Sequence, residues 1–277
     1  MTDTGTTMSA TNTKVLRPVR SDLLARVSNV AHGLTYRVDG LGVADGNLAL
    51  GSPRDKADAW QMRVLWSEAI GVDPESLVTM GQIHETTILR AESDDAGRGA
   101  RPDSKHLGMG DGIITDAPGV TLMTLHADCQ PILLVDPDRP AIAAVHAGWR
   151  GTVSNIAGAA VNAMRDAYGS DPAKLLAYLG PAIGGCCNEV GPEVTAMWRA
   201  TAAEIGIDPG PAVTRPAERE HLNVSEANRM LLCAAGLADD HIDVADECTK
   251  CDPDRWFSHR AHGPLAGREG ALIAIRP

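Results

Sequence analysis

The sequence predicts a mixed α and β fold, on three observations. Short apolar runs bounded by Pro, Asp and Gly, at 120–125, 132–136 and 141–146, suit buried strands. Longer stretches at 57–70 and 153–168 carry apolar residues three and four apart, the spacing of one helix face. Twenty-eight Gly and seventeen Pro imply many tight connections, which a helical bundle does not need. With 44% hydrophobic and 22% charged residues the 277-residue chain can bury a sizeable core, which excludes a disordered tail, a coiled coil or a disulfide mini-protein. One Phe and three Tyr beside five Trp leave the packing to Leu, Ile, Val and Ala. No window reaches the ~20 apolar residues of a membrane helix. A net charge of −11 argues against nucleic acid or an anionic membrane as partner, while remaining compatible with a local basic pocket for a small anion.

In chain order, MTDTGTTMSATNTK is rich in Thr and Ser and has no apolar h-region, so 1–15 reads as a disordered leader rather than a signal peptide. A cytoplasmic, reducing location follows, and with it metal ligation or nucleophilic chemistry for the six cysteines rather than disulfides. The helix at 57–70 stops at Gly71 and Pro74. A strand from 77 runs toward 90 through a loop carrying Gln82 and His84, and 94–110 is an exposed loop. Three strands follow, the first two separated by HADCQP, then the helix at 153–168 and a strand at 175–179 that ends at Gly180-Pro181. Helices are expected at 193–205 and 225–235, the second capped by Ser225, and a strand at 271–276 closes the chain. No 20–50-residue period and no linker interrupts this, so 16–277 is read as a single domain.

The chemistry-bearing residues sit where these strands end. His84, Cys129 and His146 could converge as three zinc ligands with an open fourth position. From spacing alone, ordinary core or surface roles stay open for each. Asp128 would face away from Cys129 in a regular strand, but a bend would bring its carboxylate round to orient a histidine or take a proton. A loop-capping role is the bland alternative. His126 is a fourth ligand, a proton carrier or a lining residue. Arg150, in Gly148-Trp149-Arg150-Gly151, could clamp a phosphate or carboxylate, with Arg37 and Arg260 as weaker candidates and Gln82 as a further substrate contact. Cys248 and Cys251 form a lone C-x-x-C, a weak zinc-ribbon signal, and Cys186-Cys187 are adjacent; both pairs read as structural or loosely reactive thiols. GPAIGGCC has no Walker lysine and misses the Rossmann fingerprint, which leaves it as a turn whose N–H groups face the cavity.

At these residues the sequence resembles the YfiH-like, or laccase-domain, proteins. The matching blocks are GQIHETTI (81–88), DGIITDAPGVTLMTLHADCQPILLVD (111–136), AAVHAGWRGTVSNI (143–156), LGPAIGGCCNEVGPEV (179–194) and CTKCDPDRWFSHRAHGPLAGR (248–268), in family order. The resemblance implies an α+β fold, a four-layer α/β/β/α sandwich of mixed sheets flanked by helices. It implies one zinc on His84, Cys129 and His146, and substrate contacts from Arg37, Arg150 and Arg260. Three places depart from the family pattern and bear on substrate choice: the N-terminal block, usually T-T-R-x-G-G and here Thr35-Tyr36-Arg37-Val38-Asp39-Gly40, His126 in place of a small residue, and Asn188 in place of Tyr.

The names attached to this family disagree. A multicopper oxidase takes many histidines, typically in H-x-H pairs, and this chain has nine scattered histidines and no H-x-H, so copper is not favoured. The activity the resemblance implies is phosphate-dependent cleavage of adenosine, inosine and methylthioadenosine, with adenosine deamination beside it, by a monomer using nucleoside and phosphate. Two alternatives stay open: a peptidoglycan-precursor editing amidase with Cys129 as nucleophile, and a non-enzymatic zinc-binding module, which His126 would complete as fourth ligand.

Overall fold

The apolar runs on either side of HADCQP become central strands of two different sheets. The computed structural model describes residues 15–215 and 218–277. The expected leader at 1–15 lies outside the described residues except for Val15, which is exposed. The strands are β1 (Val30–Leu34), β2 (Leu77–Val78), β3 (Ile88–Arg90), β4 (Gly112–Thr115), β5 (Thr121–His126), β6 (Gln130–Asp136), β7 (Ala141–Ala147), β8 (Leu176–Leu179), β9 (Val213–Thr214), β10 (His221–Leu222), β11 (Ile242–Val244) and β12 (Glu269–Ile275). The α-helices are α1 (Lys56–Ile70), α2 (Trp149–Val153), α3 (Ile156–Tyr168), α4 (Pro192–Ile205), α5 (Val224–Ala234) and α6 (His259–His262). None is long and apolar enough to cross a membrane, among the described residues.

One sheet has the order β11-β8-β6-β7-β4-β3 and the other β1-β12-β5-β2, with β9 and β10 as a separate ribbon. Each large sheet mixes parallel and antiparallel pairs. Alternate side chains of β6 divide between two cores, as the two-residue period of a strand requires. Leu133 and Val135 meet Leu122, Ala271 and Ile273 of the smaller sheet, while Ile132 and Leu134 pack against Val161 and Met164 of α3 and Leu231 of α5. Behind the smaller sheet, Met123 and Leu272 pack on Met62, Trp66 and Ile70 of α1. Burial on both faces explains why these strands read as continuous apolar runs rather than alternating ones.

The helix ends follow from local chemistry. The Asp55 side chain accepts from the N–H groups of Ala57 and Asp58, and Gly71 ends α1 at φ 90°, a left-handed conformation glycine adopts without penalty. For α5 the cap is Asn223, whose side chain accepts from Glu226 N–H, not Ser225 as expected. Ser225 lies inside the helix and donates to Gln130 Oε1 instead. The expected strand from 77 to 90 is two short strands in different sheets, because the loop carrying Gln82 and His84 crosses between them.

On β1 the buried His32 accepts the Ser21 N–H through Nε2 (3.0 Å), which requires a neutral ring. Burial, reinforced by Arg20, lowers its pKa to about 4. The unfolded imidazole binds its proton near pH 6.5, so between 6.5 and 4 the unfolded state holds more protons and stability falls as pH falls. Wild-type protein should lose up to about 3 kcal/mol through this group on acidification across that window. His32→Gln should lose correspondingly less, read as urea midpoints at pH 7 and pH 4.5; equal losses would remove His32 as the cause.

Candidate functional site

Three connections at one end of the sheets deliver the candidate ligands. Cys129 lies in the bend between β5 and β6, His146 near the end of β7, and His84 between β2 and β3. One donor atom from each lies within 4.8 Å of the others, and the rings of His84 and His146 meet edge-on at 5.0 Å. His146 is buried, Cys129 half-buried and His84 exposed. Backbone bends make this convergence: His84 has φ 62° and Asp128 φ 84°, left-handed values that cost a residue with a Cβ.

Asp111, which sequence reasoning did not single out, holds the arrangement. It is fully buried. Its Oδ1 accepts from His146 Nδ1 at 2.9 Å, which turns His146 Nε2 toward the cluster. Its Oδ2 accepts the N–H groups of Ile83 (3.1 Å) and Glu85 (2.8 Å), the two neighbours of His84. Gly148 keeps the centre open, because a Cβ there would lie 3.0 Å from both Cys129 Sγ and His84 Cδ2. The structure therefore has a cradle of one sulfur and two imidazoles that a single methyl would fill. That donor set suits zinc.

The electrostatics are those of a coupled pair. Burial pushes the Cys129 thiol up, but the charge and hydrogen bonds of His146, with those of His84, outweigh it and bring it down to about 6. Burial pushes His146 down, yet the Cys129 sulfur and the Asp111 hydrogen bond raise it to about 9. His126 is held neutral by burial and by the charge of His146.

The trio opens on a cavity of about 860 Å³, within the range of small-molecule sites. Its wall carries six Arg and Lys side chains, Arg54, Lys56, Arg63, Arg101, Arg260 and Arg268, against one acidic group, Asp128. Arg54 donates to Ala266 O, and Arg268 to Ala266 O (2.6 Å) and Gly267 O (2.8 Å), so both are anchored on carbonyls. Arg63 donates to Leu48 O, Gly99 O and Ala100 O and so fixes two loops of the wall to α1. A separate cleft of about 740 Å³ is walled by Arg199 and Arg215, both ion-paired to Glu220, and carries none of the candidates.

The candidates separate on this geometry. Arg260 and Gln82 reach the cavity, although both ends of the Gln82 amide are held by Leu125, as donor to its O (2.8 Å) and acceptor from its N–H (2.9 Å). Arg37 and Arg150 are not part of the wall. Arg37 is ion-paired to Asp45 at 2.8 Å beside a different surface hollow, and Arg150 is exposed and stacks over Trp149 at 4.2 Å. Arg54 and Arg268 occupy the place expected of them. His126 is buried with Nδ1 on Cys129 O (3.2 Å) and Nε2 on Thr124 Oγ1 (2.7 Å), so no ring nitrogen is left for a metal. The Asp128 bend exists, but its carboxylate turns to Thr249 Oγ1 (2.6 Å) and Arg260 N–H (2.7 Å) rather than to a histidine. Asp111→Asn and Gly148→Ala should each weaken zinc binding, the first by roughly 10–100-fold, measured by competition with a chromogenic chelator. Wild-type affinity in both variants would sink this account of the cradle.

The family model described as multi-copper polyphenol oxidoreductase laccase matches residues 31–276. The chain is 32% identical over 221 residues to purine nucleoside phosphorylase YlmD of Bacillus subtilis, covering 79% of this chain and 78% of that one. It is 32% identical to adenosine deaminase RL5 from an unknown prokaryotic organism, over 74% of this chain and 78% of the relative. The crystal structure of YlmD from Geobacillus stearothermophilus superposes with a TM-score of 0.84 at 32% identity, over 91% of this chain and 93% of the other. With the α+β fold, the ordered blocks and a match spanning nearly all described residues, the chain belongs to the YfiH-like, laccase-domain family.

Proposed function

We propose that this protein is a zinc-dependent purine nucleoside phosphorylase acting on adenosine, inosine and methylthioadenosine, with adenosine deamination as a second activity. The observation that carries this reading is the Cys129, His84 and His146 cradle opening on a cavity walled by cations. Relatives named purine nucleoside phosphorylase and adenosine deaminase support it. The same reading takes residues 16–277 as one domain layered α/β/β/α, supported by the three apolar clusters between and behind the sheets.

His84, Cys129 and His146 Nε2 are the zinc ligands in this proposal. Zinc held there supplies Lewis acidity for activating water or a substrate oxygen. The chain's own residues do the rest. Arg54, Arg260 and Arg268 take the phosphate, whose oxygen bonds to the ribose C1′ as the C1′–N9 bond breaks and the base leaves with the electron pair. Guanidiniums anchored on carbonyls stay in place without losing their charge to a carboxylate. Asp128, the acidic group on the cavity wall, moves protons. Arg37 and Arg150 drop out of the substrate contacts, since the cavity wall does not include them.

A second reading has an observation of its own. Cys129, His146 and Asp111 form a hydrogen-bonded line of thiol, imidazole and carboxylate, the order a cysteine nucleophile uses. An amidase acting on peptidoglycan precursors would use it without metal, so chelation separates the two readings.

Zinc-replete protein given adenosine and phosphate should form adenine and ribose-1-phosphate, resolved by chromatography, and inosine by the deaminase route. Cys129→Ala should lose both activities; full phosphorolysis by that variant, or by chelated wild type, would overturn the zinc mechanism. Arg268→Ala should raise the KM for phosphate roughly 10–100-fold while leaving deamination within about threefold. An unchanged phosphate KM would remove Arg268 from the phosphate contacts.

A further inference from the structure

The two cysteine pairs that the active-site reading leaves unused come together in space. Cys186 and Cys187 lie in the connection after β8, and Cys248 and Cys251 in the connection after β11. β8 and β11 are parallel neighbours, and the pairing continues past their ends through a bridge between Ala182 and Cys248. More than sixty residues apart in sequence, the pairs are therefore delivered side by side. One sulfur from each of the four lies within 4.8 Å of the others. The Cys251 sulfur is 3.6 Å from that of Cys186 and 3.5 Å from that of Cys187. All four are free thiols.

We propose that Cys186, Cys187, Cys248 and Cys251 form a second metal site, a tetrathiolate that holds a structural zinc ion. A tetrahedron with zinc–sulfur bonds of about 2.3 Å has edges of about 3.8 Å, close to the spacings found here. Four sulfurs and no oxygen select a borderline-soft cation over magnesium or calcium. The backbone is arranged for it. Cys251 N–H and Asp252 N–H both donate to Cys248 O, which coils the C-x-x-C into a tight turn. Gly184 N–H donates to Cys248 Sγ at 3.2 Å, the kind of bond that favours a thiolate. A Cβ at Gly184 would lie 3.2 Å from both Cys186 Sγ and Cys248 Cβ, so a side chain there would crowd the cluster. Cys186 and Cys251 are exposed, so the site has a route for metal to enter and for a chelator to reach it.

The cluster braces the cavity rather than taking part in its chemistry. Thr249, between the two C-x-x-C cysteines, donates to Asp128. The Arg260 guanidinium donates to Asn188 Oδ1 and Glu189 O (each 3.3 Å), which directly follow Cys187. A metal tying these two connections together fixes Asp128, Asn188 and Arg260 relative to one another.

The test counts metal in the full-length chain purified with zinc under reducing conditions, and does not depend on activity. Cys129→Ala, which disables the other cradle and leaves this cluster intact, should retain one zinc per chain. Of its five remaining thiols, Cys233 alone should react readily with a thiol reagent until a chelator is added. Cobalt in place of zinc should give that variant the intense visible bands of tetrahedral thiolate coordination. Wild type should hold two zinc ions, and the double variant Cys248→Ser, Cys251→Ser should lose one. Cys129→Ala protein that is metal-free with all five thiols reactive, that carries disulfides, or that holds iron would overturn the proposal. A wild type with one zinc that survives in Cys129→Ala would uphold this site and instead defeat the active-site zinc.

Discussion

The bonds made by the Asp111 carboxylate are what the rest of the site depends on. One oxygen fixes the tautomer and direction of His146, and the other holds the peptide groups on both sides of His84. Burying a carboxylate is costly unless every lone pair direction finds a donor. Burial would raise the Asp111 carboxyl, and the hydrogen bonds from His146 and the Glu85 backbone hold it below its ordinary value instead. The same residue accepts the His146 N–H through its main-chain oxygen at 2.7 Å, so β4 and β7 are locked in register at the level of the cluster. The left-handed backbone at His84 persists because the groups around it are over-determined in this way.

Charge is distributed to serve one concave surface. The chain carries a net −11, yet six Arg and Lys side chains line the 860 Å³ cavity. Packing like charges together destabilises a fold unless something holds them apart. Here carbonyl oxygens do so: Arg63 spends its donors on three of them and Arg54 and Arg268 share a fourth. Burial lowers the pKa of Arg63 to about 9, which still leaves it charged at neutral pH. Such a surface is prepared for an anion before the anion arrives.

Much of this was legible in the sequence, for reasons that differ by element. Strands β5, β6 and β7 fall within a residue or two of the apolar runs, because burial on both faces keeps their middles apolar and confines most polar residues to their ends. β1 escaped because VAHGL interrupts its apolar pattern with His32 and Gly33. The convergence of His84, Cys129 and His146 was legible because all three stand at the ends of predicted strands, where loop backbones can converge. Asp111 was not, since its role exists only through the β4–β7 register, which no local pattern specifies. Arg54 and Arg268 were hidden for the same reason: 214 residues separate two side chains that share one carbonyl, Ala266 O. Arg150, chosen from a glycine-flanked motif, and Arg37, from the family block, satisfied local criteria, while the cavity wall is set by tertiary placement.

One hydrogen bond reaches further than its length suggests. Thr249 adjoins Cys248 and Asp128 adjoins Cys129, so the 2.6 Å contact between them joins the neighbours of a cysteine in each cluster. Where such a contact couples two sites the coupling is reciprocal: a ligand that tightens one tightens the other by the same factor. Metal held by the four cysteines and a small molecule held in the cavity would bear on one another through that contact. In the proposed tetrathiolate, loss of the ion from those four sulfurs would loosen the connection that holds Asp128, at a centre that shares no residue with them.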